Sequence, residues 1–153
     1  MTSIALALHI LAAVIWIGGM FTIYVCLRPA LGALEASPQR LALATATFAK
    51  FFPWVWMSVV ILFATGYFMV FITFGGFANT GPHIHIMQAI AWVMTALFAW
   101  LYWGAWTNMR EAVAGENWDA AGHALGRIRR IIAMNLPLGL FVAAIGASGR
   151  WWH

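Results

Sequence analysis

Apolar residues dominate four long stretches of the chain, and short segments between them carry nearly all of the charge. The stretches cover residues 2–27, 51–75, 80–106 and 131–149. Each is long enough to cross the hydrocarbon core of a bilayer, which takes about 20 apolar residues. Because backbone polar groups cannot face lipid unsatisfied, we predict four transmembrane α-helices packed as one all-α bundle, a single domain over residues 1–153.

Composition supports a membrane protein. Hydrophobic residues make up 64% of the chain and charged residues 8%, against roughly 45–50% and about 25% in soluble domains. The basic residues lie at the ends of the apolar stretches rather than on a separate stripe, so the high isoelectric point does not indicate a nucleic-acid partner. The first stretch lacks a basic leader and its apolar core is too long for a signal peptide, so we expect it to be retained.

The distribution of positive charge predicts the topology. Seven of the eight basic residues lie between spans 1 and 2 or between spans 3 and 4: Arg28, Arg40, Lys50, Arg110, Arg127, Arg129 and Arg130. The positive-inside rule then places both segments in the cytoplasm and both termini on the periplasmic side of a bacterial inner membrane. The four acidic residues fall in the same inner segments, where we expect solvated side chains.

Helix starts and stops are visible inside these polar segments. Arg28-Pro29 is expected to end the first span, since proline cannot continue the helical hydrogen bonds. Ser37-Pro38 resembles an N-cap followed by proline at the first helical position, and Asn117 begins a second such signal. The glycine-rich stretch 74–82 is typical of a turn.

The two halves of the chain carry similar first spans. His9-Ile10 is followed by Ala13 and Trp16, and the same residue types recur from His85 to Trp92 after 85 − 9 = 76 residues, half of the length. This pattern indicates two repeated helical hairpins related by an axis along the membrane normal. In such a repeat the two histidines would share a depth and face each other. The inward stripe of span 3 is then His85, Gln88, Ala89, Trp92 and Ala96, with His83 turned about 200° away toward water or headgroups.

Two opposed imidazoles in an apolar, tryptophan-lined space suit a b-type haem, with His9 and His85 as axial ligands. Trp16, Trp92 and Gln88 would surround the ring. Arg150, the one basic residue on the outer face, would pair with the propionates. On this hypothesis the protein is an inner-membrane b-type cytochrome that exchanges electrons with a quinone or a periplasmic redox protein.

Two other hypotheses use the same residues. Copper would bind His9 and His85 together with a thioether of Met69 or Met87, because soft sulfur ligands favour Cu(I). In the third hypothesis the histidines only pack, and the protein is a non-catalytic membrane assembly subunit. The sequence contains no nucleophile–base pair or paired intramembrane carboxylates, so it leaves open whether the protein is a membrane oxidoreductase and whether it forms a homo-oligomer.

Several short motifs together resemble the CopD copper-resistance family of membrane proteins. They are His9-x-x-Ala12-x-x-x-Trp16-x-Gly18-Gly19, Arg28-Pro29, Phe52-Pro53-Trp54-Val55-Trp56, Ala64-Thr65-Gly66-Tyr67, His85-Ile86-Met87-Gln88 and Arg127-Ile128-Arg129-Arg130. The resemblance implies copper transport across the inner membrane. The first helix is also similar, more weakly, to HemJ-type protoporphyrinogen oxidases, which implies haem b.

Overall fold

The structure is a computed structural model that describes residues 2–35 and 37–149. It contains four long helices: helix 1 (Thr2–Ala33), helix 2 (Ser37–Ile72), helix 3 (Pro82–Ala114) and helix 4 (Trp118–Ser148). Each is long and apolar enough to cross a membrane, and the described residues include no strand. The predicted all-α bundle of four spanning helices is confirmed. We call the end at the 73–81 loop the outer end, after the predicted topology, and the opposite end the inner end.

The bundle is built from two antiparallel hairpins, in which helix 1 packs on helix 2 and helix 3 packs on helix 4. Glycines set these contacts. The ring of Phe51 lies directly over Gly19, and Gly146 lies where a Cβ would come within 3.1 Å of the Met87 methyl group. Small residues at such points let helix backbones approach closely in a membrane. The two-hairpin arrangement agrees with the sequence-based prediction.

The helices are longer than the apolar stretches, and most of the extra length lies at the inner end. Helix 2 begins at Ser37 and helix 4 at Trp118, after Asn117, whose side chain accepts a hydrogen bond of 3.1 Å from the Ala120 backbone N–H. Both helix starts were predicted. The helices extend beyond the predicted spans because hydropathy detects only the apolar part of a helix that continues into polar surroundings.

Helices 1 and 3 each contain a segment of π-helix, at Thr22–Leu27 and Leu101–Trp106. Such segments are rare and are often found at functional sites. The first of them lies directly before Pro29, where the Arg28 N–H bonds to the Ile23 carbonyl five residues back. This wider turn accommodates the proline, and helix 1 continues to Ala33. The prediction that Arg28-Pro29 ends the helix is therefore wrong.

Candidate functional site at the outer end

The outer half of the bundle holds a group of polar side chains that joins three helices. We call it the outer cluster: His9 of helix 1, Thr65, Gly66 and Tyr67 of helix 2, and Gln88 of helix 3. The His9 Nδ1 atom lies 2.8 Å from the Thr65 hydroxyl oxygen. The Gln88 side-chain amide donates a hydrogen bond of 2.7 Å to the Tyr67 hydroxyl. The short polar interruption of helix 2 thus contacts both neighbouring helices at one level.

The hydrogen bonds of Thr65 favour one tautomer of His9. A threonine hydroxyl has one hydrogen to donate, and Thr65 directs it to the Ile61 carbonyl at 2.6 Å. Its oxygen is then an acceptor, so His9 donates from Nδ1. The neutral imidazole that results carries its lone pair on Nε2. A hydrogen bond at one ring nitrogen that leaves the other free to coordinate is the usual arrangement of histidine ligands to metals.

Gly66 makes room for this ring. A Cβ built at Gly66 would lie 3.4 Å from Cε1 of His9, so the imidazole lies against the backbone of helix 2. His9 is half-buried, and its neighbours along helix 1 toward the core, Ala12 and Trp16, are fully buried. The site therefore lies at the edge of the core, in an apolar wall where a polar side chain is costly and indicates function.

Met69 lies on the same face of helix 2 as Thr65. It lies one turn beyond Thr65 on helix 2, and residues four apart in a helix are neighbours on its surface. Its side chain is half-buried, like that of His9. The predicted partner Met87 points elsewhere, toward Gly146 of helix 4.

His85 does not join this cluster. Its side chain is exposed, its Nε2 lies 3.2 Å from the Thr80 hydroxyl, and its ring lies beside Phe77 at a centroid distance of 6.0 Å. The prediction that His85 points into the core and faces His9 is wrong. The two predicted axial ligands lie in different surroundings.

Gln88 apart, the other residues of the predicted inward stripe of helix 3 are exposed as well. Trp92 is 54% exposed and packs on Phe63, whereas Trp16 is 3% exposed and packs against Phe98. Ala89 and Ala96 are exposed as well. The buried face of helix 3 instead carries Met94, Phe98 and Leu101. Trp16 and Trp92 therefore do not line a common cavity.

His83, which was predicted to face water, points toward helix 4. A Cβ at Gly149 would lie 3.0 Å from Cδ2 of His83, and the His83 ring is half-buried. The prediction for His83 is therefore wrong, and the side of helix 3 that bears His83 is the one that packs on helix 4. Arg150, predicted to pair with haem propionates, lies outside the described residues.

The π-segments of the two hairpins are offset differently from the sequence identities. The two π-segments begin at residues 22 and 101, so they are offset by 101 − 22 = 79 residues rather than 76. An offset of 79 matches His9 with Gln88, and both side chains bond to the Thr65–Tyr67 segment of helix 2. A three-residue change of register turns a helix by about 300° and moves it by about 4.5 Å. The sequence identities around His85 therefore do not bring it into surroundings like those of His9.

Three methionines lie between the outer cluster and the inner end of the bundle and are only 0–3% exposed: Met20, Met94 and Met109. Met94 and Ile17 flank Gly139 of helix 4 together, so the Met94 thioether lies about two turns deeper than His9 and near the level of Met20. The Asn135 side-chain amide, itself buried, donates a hydrogen bond of 3.1 Å to the Met94 carbonyl and fixes this part of helix 3. Sequence reasoning missed Met94, whose signal is its buried helical spacing with Phe98 and Leu101.

A resident metal centre is not formed by side chains of the usual kinds. Across residues 2–35 and 37–149, no group of three or more His, Cys, Asp or Glu is placed to hold a metal ion. A single imidazole with methionine thioethers along the core would bind a metal ion more weakly than such a group. A transported ion needs weak, successive sites of this kind, because it must leave each one again.

The fold and these side chains define a polytopic membrane protein whose spanning helices carry an imidazole and several methionine thioethers. Residues 45–148, more than half of the chain, match the family model of copper resistance protein D. The chain belongs to the CopD family. The match covers helices 3 and 4 and most of helix 2; helix 1, with His9, lies before the matched segment. No curated protein and no solved structure matches the chain.

Proposed function

We propose that this protein carries copper(I) across the bacterial inner membrane, with His9 as the ligand at the outer end. The observation that carries the proposal is the pair of hydrogen bonds at Thr65, which leaves the His9 Nε2 lone pair free for a metal. Membership of a copper-resistance family supports copper as the ion. Copper is the substrate here, not a permanently bound cofactor.

The path that we propose begins at His9 and Met69 and continues through the thioethers of Met94 and Met20. Thioether sulfur and imidazole nitrogen suit Cu(I), which accepts low coordination numbers and soft ligands. Each of these side chains is half-buried or buried. A step from His9 to the level of Ile17 covers eight residues, about 12 Å along helix 1. Side-chain and helix motions would therefore accompany each transfer.

The haem hypothesis receives less support from the outer cluster. It requires two axial ligands from opposite sides, and the exposed His85 bonded to Thr80 is not placed as the second.

Arg129 and the other inner arginines favour the predicted topology, in which the outer cluster faces the periplasm. We therefore propose entry or exit of copper on the periplasmic side.

The test is copper(I) flux into sealed vesicles that contain the purified protein and an internal Cu(I) chelator with an optical signal. We expect His9→Ala to lower the rate at least tenfold, because the only imidazole of the outer cluster is lost. His85→Ala is the matched control and should change the rate less than twofold. Equal losses in the two variants would contradict the assignment of His9.

An absorption spectrum of the same preparation tests the competing chemistry. A protein that handles copper(I) without haem should show no Soret band, because that band arises from the porphyrin ring. A Soret band that is lost in His9→Ala would overturn the copper proposal in favour of haem.

A further inference from the structure

The inner end of the bundle brings together three arginines from three helices. Arg28 lies near the inner end of helix 1, Arg40 in the first turns of helix 2, and Arg129 on helix 4. Arg129 is half-buried, and the positive charges of Arg28 and Arg40 both act on it. Such a grouping is unfavourable unless an anion compensates it.

No acidic side chain supplies that compensation in the parts of the chain that the structure describes. The one ion pair there joins His123 and Asp119, two highly exposed residues one turn apart on helix 4. Arg40 donates a hydrogen bond of 3.0 Å to the Ser37 hydroxyl, and the Arg28 guanidinium lies over the Tyr24 ring at 5.1 Å. These contacts orient two of the guanidinium groups without neutralising them.

Arg28 and Arg129 border a narrow groove whose remaining walls are apolar. The wall residues are Ile23, Tyr24, Leu27, Leu31, Phe48, Leu125 and Ile132. The groove encloses about 10 Å³, about enough for one water molecule. The body of a soluble ligand therefore does not fit inside it. An anion held at the rim must keep the rest of its molecule outside the protein.

The bilayer offers a molecule of this shape. Val25 lies one turn before Arg28 and Leu43 one turn after Arg40, and each is 47% exposed on the surface of the bundle. Acyl chains would cover these side chains while the headgroup meets the arginines. Guanidinium groups bind phosphate with two parallel charge-assisted hydrogen bonds, which a lysine cannot reproduce.

We propose that Arg28, Arg40 and Arg129 form a binding site for the phosphate of an anionic phospholipid in the inner leaflet. Basic sites between transmembrane helices on the cytoplasmic side bind such headgroups, and each arginine near the surface contributes an attraction. The bound lipid would bridge the ends of helices 1, 2 and 4. The site is separate from the outer cluster, so it does not depend on copper transport.

The test uses the purified full-length protein, freed of lipid in a neutral detergent, and follows its unfolding temperature as lipid is added. Phosphatidylglycerol should raise the unfolding temperature. Phosphatidylcholine, which bears a phosphate but no net charge, and inorganic phosphate at the same concentration should not. A rise of equal size with inorganic phosphate would show that the site binds free phosphate, and would contradict the proposal of a lipid headgroup.

Arginine variants locate the site. Arg129→Gln and Arg28→Gln should each weaken phosphatidylglycerol binding about fivefold, whereas Arg130→Gln removes the same charge from an exposed neighbouring position and should change it less than twofold. Arg28 is exposed, so its variant keeps the test available if Arg129→Gln does not fold. Equal losses in the Arg129 and Arg130 variants would show a diffuse surface charge and contradict the site.

Discussion

His9 and His85 lie on the first helices of the two hairpins, yet only His9 belongs to the outer cluster. The His9 ring lies against Gly66 and donates a hydrogen bond from Nδ1 to the Thr65 hydroxyl, which itself donates to the Ile61 carbonyl. The His85 ring lies on the surface beside Phe77 and contacts the Thr80 hydroxyl at 3.2 Å in the outer loop. The difference shows that a histidine becomes a metal-ligand candidate through the groups that orient it, not through its place in a sequence pattern.

The largest difference should appear when the orienting hydroxyls are removed. Thr65→Val keeps the shape of the side chain but leaves His9 Nδ1 without its acceptor. Loss of such a partner usually costs 10–100-fold in metal affinity or activity. We expect a loss in that range for copper(I) flux. Thr80→Val removes the corresponding hydroxyl beside His85 and should leave the flux within twofold; a matching loss there would abolish the contrast between the histidines.

The buried thioethers should show a smaller effect. Met94→Leu preserves volume and apolar character in the core, so it should cost less than about 1.5 kcal/mol of stability. If copper passes this level, the flux should fall severalfold at unchanged protein yield. Met57→Leu makes the same exchange at a position that is 43% exposed and serves as the control. A normal flux in Met94→Leu would remove Met94 from the path.

The smallest expected effect concerns the helix contact that brings His9 to Thr65. Gly19→Ala places a methyl group against the Phe51 ring, and overpacking of this kind costs about 1–3 kcal/mol. Gly18→Ala meets no atom within 4 Å and should be neutral. Unfolding in detergent measures both variants. Equal stability of the two would contradict the close packing of helices 1 and 2.

The four helices could be predicted because about 20 apolar residues in a row have one structural meaning in a membrane. Their inner extensions were only partly visible, through helix-start signals such as Asn117. The direction of His85 could not be predicted correctly, because a repeat among Ile, Ala and Trp leaves the register undetermined by a few residues. Two residues turn a helix by about 200°, so a small error in register reverses the predicted direction of a side chain.

The role of Thr65 was hidden for a related reason. Thr65-Gly66-Tyr67 was visible only as part of a family motif, and Met69 only as a candidate copper ligand. The bond from His9 to Thr65 joins residues 56 positions apart and follows only from the packing of helices 1 and 2. Gln88 was predicted to surround a haem, and in the structure its side-chain amide bonds to Tyr67.

The most direct measurement is the nitrogen NMR spectrum of protein with ¹⁵N-labelled histidines, recorded with and without Ag(I) as a redox-stable substitute for Cu(I). The chain has five histidines, and a His9→Asn sample assigns the resonances of His9. We expect Ag(I) to shift Nε2 of His9 while Nδ1 stays protonated, with both nitrogens of His85 unchanged. A shift at His85 with His9 unaffected would contradict the account.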